Sequence, residues 1–98
     1  MELTSSQRKT VRGLAQRLDP CVQIGKSGLT DNAVKELNRA LDHDEIIKVR
    51  FGGMEREERQ SLSEAIAERT GATLCGLLGG TASYYRQNAD PEKRVVKL

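Results

Sequence analysis

Gly25, Lys26, Ser27 and Gly28 make a G-x-x-G turn with a lysine inside it. The turn follows a short apolar run, Val22-Gln23-Ile24, and precedes an amphipathic pattern that opens with Thr30-Asp31. It therefore stands where a strand hands over to a helix. Two glycines permit positive φ and let the backbone approach another molecule with no Cβ in the way. The N–H groups that open the next helix favour an anion, with the positive end of the helix dipole behind them. The chemistry on offer is phosphate binding, either of a nucleotide or of a nucleic-acid backbone. Gly25-Lys26-Ser27 matches the end of a nucleotide-binding P-loop, but that motif needs a glycine five residues before Gly25. The position is Pro20. No apolar strand ending in Asp follows to hold magnesium. These two features argue against a nucleotide and leave a clamp on backbone nucleotides, a use to which other G-x-x-G loops are put.

Further cations are candidates for the same polyanion. Arg8, Lys9 and Arg12 fall together on one flank of a first helix, away from its apolar stripe. Lys48 and Arg50 alternate with apolar residues on the wetter face of a strand, and Arg86 closes the last strand. The net charge of +2 conceals a division. From Leu3 to Thr30 the five cations Arg8, Lys9, Arg12, Arg17 and Lys26 meet one acid, Asp19. From Asp42 to Glu68 there are four cations and eight acids, and from Arg86 onward the balance is +2 again. One end of such a molecule attracts a polyanion while another repels it. The acidic third helix, with Glu57, Glu64 and Glu68 outward, is expected to turn away from the binding surface. A protein–protein adaptor using that acidic row is the alternative function.

Other chemistry finds little support. His43, the one histidine, sits among Asp42, Asp44 and Glu45 at a helix end and reads as solvated. Cys21 and Cys75 are far apart and outside any C-x-x-C spacing, so buried cytosolic thiols are expected in place of a disulfide or zinc site. No nucleophile–base pair stands out, and no enzyme, metal or cofactor is expected. Aromatics are only Phe51, Tyr84 and Tyr85. Phe51 reads as core, and Tyr84 and Tyr85 point to opposite sheet faces, so at most one is free to stack a base. Readout should rest on phosphate and shape.

The elements that must position these residues are legible from periodicity. Ninety-eight residues, 37% hydrophobic and 31% charged, read as one compact globular domain over 1–98. No apolar run reaches membrane-spanning length, and no export signal is recognisable, so a cytoplasmic monomer is expected. Thr4 and Gln7 predict a capping box. Val11, Leu14, Ala15 and Leu18 predict one buried helical face running to Asp19-Pro20. Cys21–Ile24 is a short strand. Val34, Leu37 and Leu41 mark a second helix, broken at Asp42-His43-Asp44. Ile46–Phe51 alternates as a strand, with Ile47, Val49 and Phe51 on the buried face. A third helix runs from about Glu55 to a glycine cap at Gly71. Thr73–Leu78, the Gly79-Gly80 turn and Ala82–Gln87 form a closing hairpin. A polar tail from Asn88 is expected to be loose unless Val95-Val96 dock. The order α-β-α-β-α-β-β gives an α/β domain with a mixed four-stranded sheet and packed helices. Its two β-α-β units imply parallel pairing with right-handed crossovers.

Taken in order, several segments resemble one family. Leu18-x-Pro20, an apolar strand and Gly25-Lys26-Ser27-Gly28-Leu29-Thr30 resemble the signature of the CRM domain family of bacterial YhbY-like proteins. Ala40-Leu41-Asp42-His43-Asp44-Glu45-Ile46-Ile47-Lys48-Val49 resembles its second helix and strand. Gly79-Gly80-Thr81 with Tyr85-Arg86 resembles its final hairpin, although Ala82-Ser83-Tyr84-Tyr85 is less apolar than usual there. The resemblance spans about Leu3 to Arg86. It implies a fold akin to the C-terminal domain of translation initiation factor 3. It also implies RNA binding, association with large ribosomal subunit precursors through their rRNA, and no catalysis.

Overall fold

The computed structural model describes residues 2–98. Its elements are α1 (Ser5–Ala15), β1 (Val22–Ile24), α2 (Asp31–Asp44), β2 (Ile46–Phe51), α3 (Arg56–Thr70), β3 (Thr73–Leu78) and β4 (Thr81–Tyr85). A single 3₁₀ turn, Pro91–Lys93, lies in the tail. The expected α/β order is present. The sheet runs β1-β2-β4-β3. β1 and β2 are parallel neighbours, while β4 is antiparallel to both β2 and β3. β3 thus runs parallel to β2 without touching it, and the second β-α-β unit is split by the closing hairpin. Burial explains the insertion. Ala82, Tyr84 and Tyr85 of β4 are all buried, which suits a central strand, whereas β3 carries a register shift at Leu74–Gly76 and ends in exposed Leu78, which suits an edge.

The register divides the core in two. Ile47 faces Tyr84 and Val49 faces Ala82 on one side of the sheet; there they pack with Leu37 and Leu41 of α2 and Ile66 of α3. Burying each of the Ile, Val and Leu side chains contributes about 1.5–3 kcal/mol. Ile46 faces Tyr85 on the other side, where both pack with Val11 and Ala15 of α1 and with Cys75. Helices therefore flank both faces, but α1 covers only part of its own.

Local signals place the ends of the helices. The capping box forms as expected, with Thr4 Oγ1 accepting from the Gln7 N–H at 3.1 Å and Gln7 Oε1 accepting from the Thr4 N–H at 2.9 Å. α1 stops at Ala15, short of Asp19-Pro20. Of its predicted apolar face Val11 and Ala15 are buried, but Leu14 and Leu18 stay 44% and 40% exposed because no element covers that end. α2 runs straight through Asp42-His43-Asp44 and stops one residue later, where Glu45 adopts φ 63°. Glu45 is fully buried. Its carboxylate accepts from the N–H groups of Asn88, Val95 and Val96 at 2.6, 2.6 and 2.9 Å, so the tail is strapped across the sheet and Val96 docks beside Tyr85.

Candidate nucleic-acid interface

The G-x-x-G turn is fastened at both ends. The Ile24 carbonyl accepts from the Gly52 N–H at 2.9 Å, and the turn closes with the Gly28 N–H donating to the Gly25 carbonyl at 3.0 Å. Thr30 Oγ1 then caps α2 by accepting from the Ala33 N–H at 3.1 Å. The positive end of the α2 dipole lies behind the turn, as expected. The two glycines differ, however. Gly28 has φ 71°, but Gly25 has no positive φ, and a Cβ there would meet nothing within 4 Å. Only Gly28 needs to be glycine for the fold; the gain at Gly25 is open space before the backbone. Ser27 and Lys26 are exposed. Two more glycine turns gather at the same end of the sheet: the Gly80 carbonyl accepts from the Phe51 N–H at 2.7 Å, and Gly53 lies against the Lys26 stem. Sequence reasoning marked these as turns but gave no sign that all three meet.

The remaining candidates fall into three groups. Lys9 is exposed, and Lys48 and Arg50 stand on the part of the sheet that α1 leaves open. There Lys48 is opposite Ser83, and Arg50 lies between Gln23 and Thr81. Arg12 lies over Gly76, where a Cβ would come within 2.6 Å of its Cδ, and its Nη1 donates to the Cys75 carbonyl at 2.8 Å. It pins α1 to the sheet while still sharing a groove of about 480 Å³ with Lys48. Arg8 turns back on its own helix start, donating to the Leu3 carbonyl at 2.9 Å and to Ser5 Oγ at 3.3 Å.

Arg86 is placed elsewhere. Its guanidinium donates to Asn38 Oδ1 and the Thr70 carbonyl, both at 2.7 Å, to the Asn38 carbonyl at 3.1 Å and to Asp42 Oδ1 at 2.7 Å. Four internal acceptors and the distance from the α1 face make it a fastener between β4, α2 and α3.

Pairing separates the cations by role. The ion pairs among the described residues are His43–Asp44, Arg69–Asp31 and Arg86–Asp42. Arg8, Lys9, Arg12, Arg17, Lys26, Lys48 and Arg50 are in none of them. The expectation that α3 turns away from the loop needs correction. The first turn of α3 borders it, so that Glu57 and Glu58 line one depression with Lys26 and Gly28. Parallel strands β1 and β2 require this, because they bring the starts of α2 and α3 to the same end of the sheet.

Neither tyrosine is available to stack. Tyr84 and Tyr85 are 0% and 2% exposed. Burial pushes the Tyr84 phenol far above its usual range, and its hydroxyl donates to the Ser63 carbonyl at 2.8 Å. Cys75 is buried as expected but Cys21 is exposed, and partial desolvation pushes both thiols up. No cluster of three metal-ligating side chains occurs among the described residues. No helix among them is long and apolar enough to cross a membrane.

A phosphate-sized glycine turn at one end of a sheet, with unpaired cations on the adjoining open face, defines a domain suited to a polyanion. Comparison with known proteins agrees with that class. The CRS1 / YhbY (CRM) domain model matches residues 3–86, and the chain belongs to that family. A protein of Haemophilus influenzae named RNA-binding protein is 35% identical over 95 residues, covering 97% of this chain and 96% of its own. A Pseudomonas aeruginosa protein named as a probable RNA-binding protein is 33% identical over 98 residues, covering 100% of this chain and 94% of its own. A solution structure of a Staphylococcus aureus protein, described as a candidate RNA-binding protein, superposes with a TM-score of 0.83 at 29% identity. The match covers 98% of this chain and 100% of that one.

Proposed function

We propose that this protein binds RNA through its cationic α1-side face and the G-x-x-G turn, without catalysing a reaction. We propose further that its target is rRNA in precursors of the large ribosomal subunit, where it serves assembly as a cytoplasmic monomer. One observation carries the RNA reading. The cations on the α1 side and at the loop, Arg8, Lys9, Arg12, Arg17, Lys26, Lys48 and Arg50, are in no ion pair among the described residues. A cation free of an internal partner can neutralise a phosphate and so release the counterions condensed on the nucleic acid, a large source of affinity for its backbone. Gly25 adds an open approach to backbone N–H groups, and the names of the relatives point the same way. Arg86 is left out of this surface, and Arg8 contributes charge more than reach.

The test is RNA affinity against salt. About five phosphate contacts give log K against log salt a slope of roughly −3.5 to −4.5. Lys26→Glu should weaken binding at every salt concentration and flatten the slope by about one. Its thermal melt should stay within about 0.5 kcal/mol of the parent, as expected for an exposed side chain. Unchanged affinity in that variant removes the loop from the interface. Ribosome association that is insensitive to both salt and ribonuclease would favour an adaptor instead. The acidic row Glu57, Glu64 and Glu68 would then be the surface to mutate. Sedimentation of the tagged protein in lysate tests the target: co-migration with large-subunit precursors, lost on ribonuclease treatment, is expected.

A further inference from the structure

Leu14 and Leu18 repeat at helical spacing with Val11 and Ala15, yet they stay open while those two are buried. Together with Ile46 and Ile47 of β2 and Val95 and Val96 of the tail they line a groove of about 720 Å³. That volume lies within the range of small-ligand sites. Val95 is itself 65% exposed, so one wall of the groove is an uncovered apolar surface. The groove is continuous with the cationic face, because Lys48 lines both it and the adjoining groove that holds Arg12. Arg17 and Lys97 join Lys48 around it, with none of the three in an ion pair, while Asp19 and Asp44 also contribute to its walls.

We propose that this groove receives one unpaired base of the RNA held by the cationic face. The inference rests on the RNA reading above and adds to it a site for the base. Single-stranded RNA is usually gripped by stacking its splayed bases on exposed aromatic rings. Here Phe51, Tyr84 and Tyr85 are all buried, and the exposed His43 ring does not line this groove. An apolar cleft beside phosphate-binding cations is another way to take a base face out of water. Charge complementarity favours this occupant over an apolar peptide. Three cations meet the flanking phosphates, and the two carboxylates keep phosphate out of the cleft while accepting from an exocyclic amino group, as Asp and Glu do from cytosine. A base inside a duplex keeps both faces stacked and does not enter. The groove therefore selects single-stranded segments.

Two readings on the whole protein test this. The first is affinity for a short mixed-sequence RNA, single-stranded or annealed to its complement, across a range of salt. The Leu14→Ser/Leu18→Ser double variant should lose about tenfold in affinity for the single strand, keep the parental salt slope, and bind the duplex as the parent does. Both leucines are already part-exposed, so the fold should survive, which a thermal melt verifies. The second reading uses Cys21, which lines the groove and is exposed, whereas Cys75 is buried. Saturating single-stranded RNA should slow alkylation of Cys21 in the parent protein severalfold, and duplex should not. Parental single-strand affinity in the double variant, or alkylation indifferent to RNA, overturns the proposal while leaving the phosphate reading intact. A dimer of the parent protein that the double variant dissolves assigns the groove to a second copy and also overturns it. Absence of salt-dependent RNA binding by the parent defeats the functional reading first, and this inference with it.

Discussion

Gly25 and Gly28 look equivalent in the sequence and differ in what they do. With φ 71°, Gly28 is in the left-handed region, where an L side chain costs about 1–2 kcal/mol. Gly25 needs no such freedom, and its missing Cβ leaves open space. Gly28→Ala should therefore lower stability by about 1 kcal/mol, whereas Gly25→Ala should leave the melt within about 0.5 kcal/mol of the parent. If RNA approaches this backbone, Gly25→Ala reduces RNA affinity despite its silent melt. Equal affinity for Gly25→Ala and the parent would mean that nothing comes close there. The two tyrosines form a second contrasting pair. The Tyr84 hydroxyl is buried and spent on the Ser63 carbonyl. The Tyr85 hydroxyl is buried and without a hydrogen-bond partner among the described residues, and desolvation together with the Glu45 charge pushes its phenol up. Tyr84→Phe should cost about 1 kcal/mol in urea denaturation, because it removes a buried hydrogen bond. Tyr85→Phe should cost less than about 0.5 kcal/mol, since only an unpaired polar atom is removed. The reverse order would show that the two side chains have been assigned the wrong partners.

At the scale of elements, Arg86 joins three at once. It follows β4 and bonds Asn38 and Asp42 of α2 and the last residue of α3, Thr70, with its side chain 24% exposed. Arg86→Ala removes four hydrogen bonds and leaves part-buried acceptors unsatisfied, so denaturation should show a loss of about 2–3 kcal/mol. A stable variant with weakened RNA binding and a shallower salt slope would instead return Arg86 to the interface. That reassignment illustrates what the chain discloses locally and what it does not. Helix and strand order were legible because periods of 3.6 and 2 are written into successive residues. The capping box at Thr4, the cap at Gly71 and the G-x-x-G turn are equally local. The insertion of β4 between β2 and β3 was not legible, since the order of strands across a sheet depends on which one can be buried on both faces. Nor did periodicity show that Leu14 and Leu18 would lack a cover, because a partner helix leaves no trace in the stripe it would have buried. Within the candidate site, residue type marked the candidate cations. Their division into fasteners such as Arg12 and Arg86 and unencumbered side chains such as Lys9 and Arg50 depended on acceptors about 16 to 63 residues away.

At the scale of the whole molecule, one carboxylate ties the C-terminal tail to the end of α2. Glu45 ends α2 in a backbone conformation that costs a non-glycine residue about 1–3 kcal/mol. Its buried side chain offsets that strain by gathering the tail. Desolvation opposes the charge, but the N–H groups of Asn88, Val96 and Val95, together with the Arg94 charge, outweigh it and hold the carboxyl below its usual range. The direction of the pH effect follows. A folded value below the unfolded one, about 4.3, means that the contribution to stability is complete above the unfolded value and fades as pH falls through it toward the folded value. Stability should therefore drop as pH falls below about 5 more steeply in the parent than in Glu45→Gln, whose amide does not titrate. Glu45→Gln should already be the less stable of the two near neutrality, because a neutral acceptor bonds these N–H groups less strongly than a carboxylate. Hydrogen exchange at the Val95 and Val96 amides reports the strap directly, and protection there should decline with acid in the parent ahead of global unfolding. Parallel pH profiles for the two proteins would show that other carboxylates govern the acid limb. The consequence reaches the cationic face: Val95 and Val96 wall the groove beside Lys48, so the charge that fastens the tail also shapes the surface proposed above for RNA.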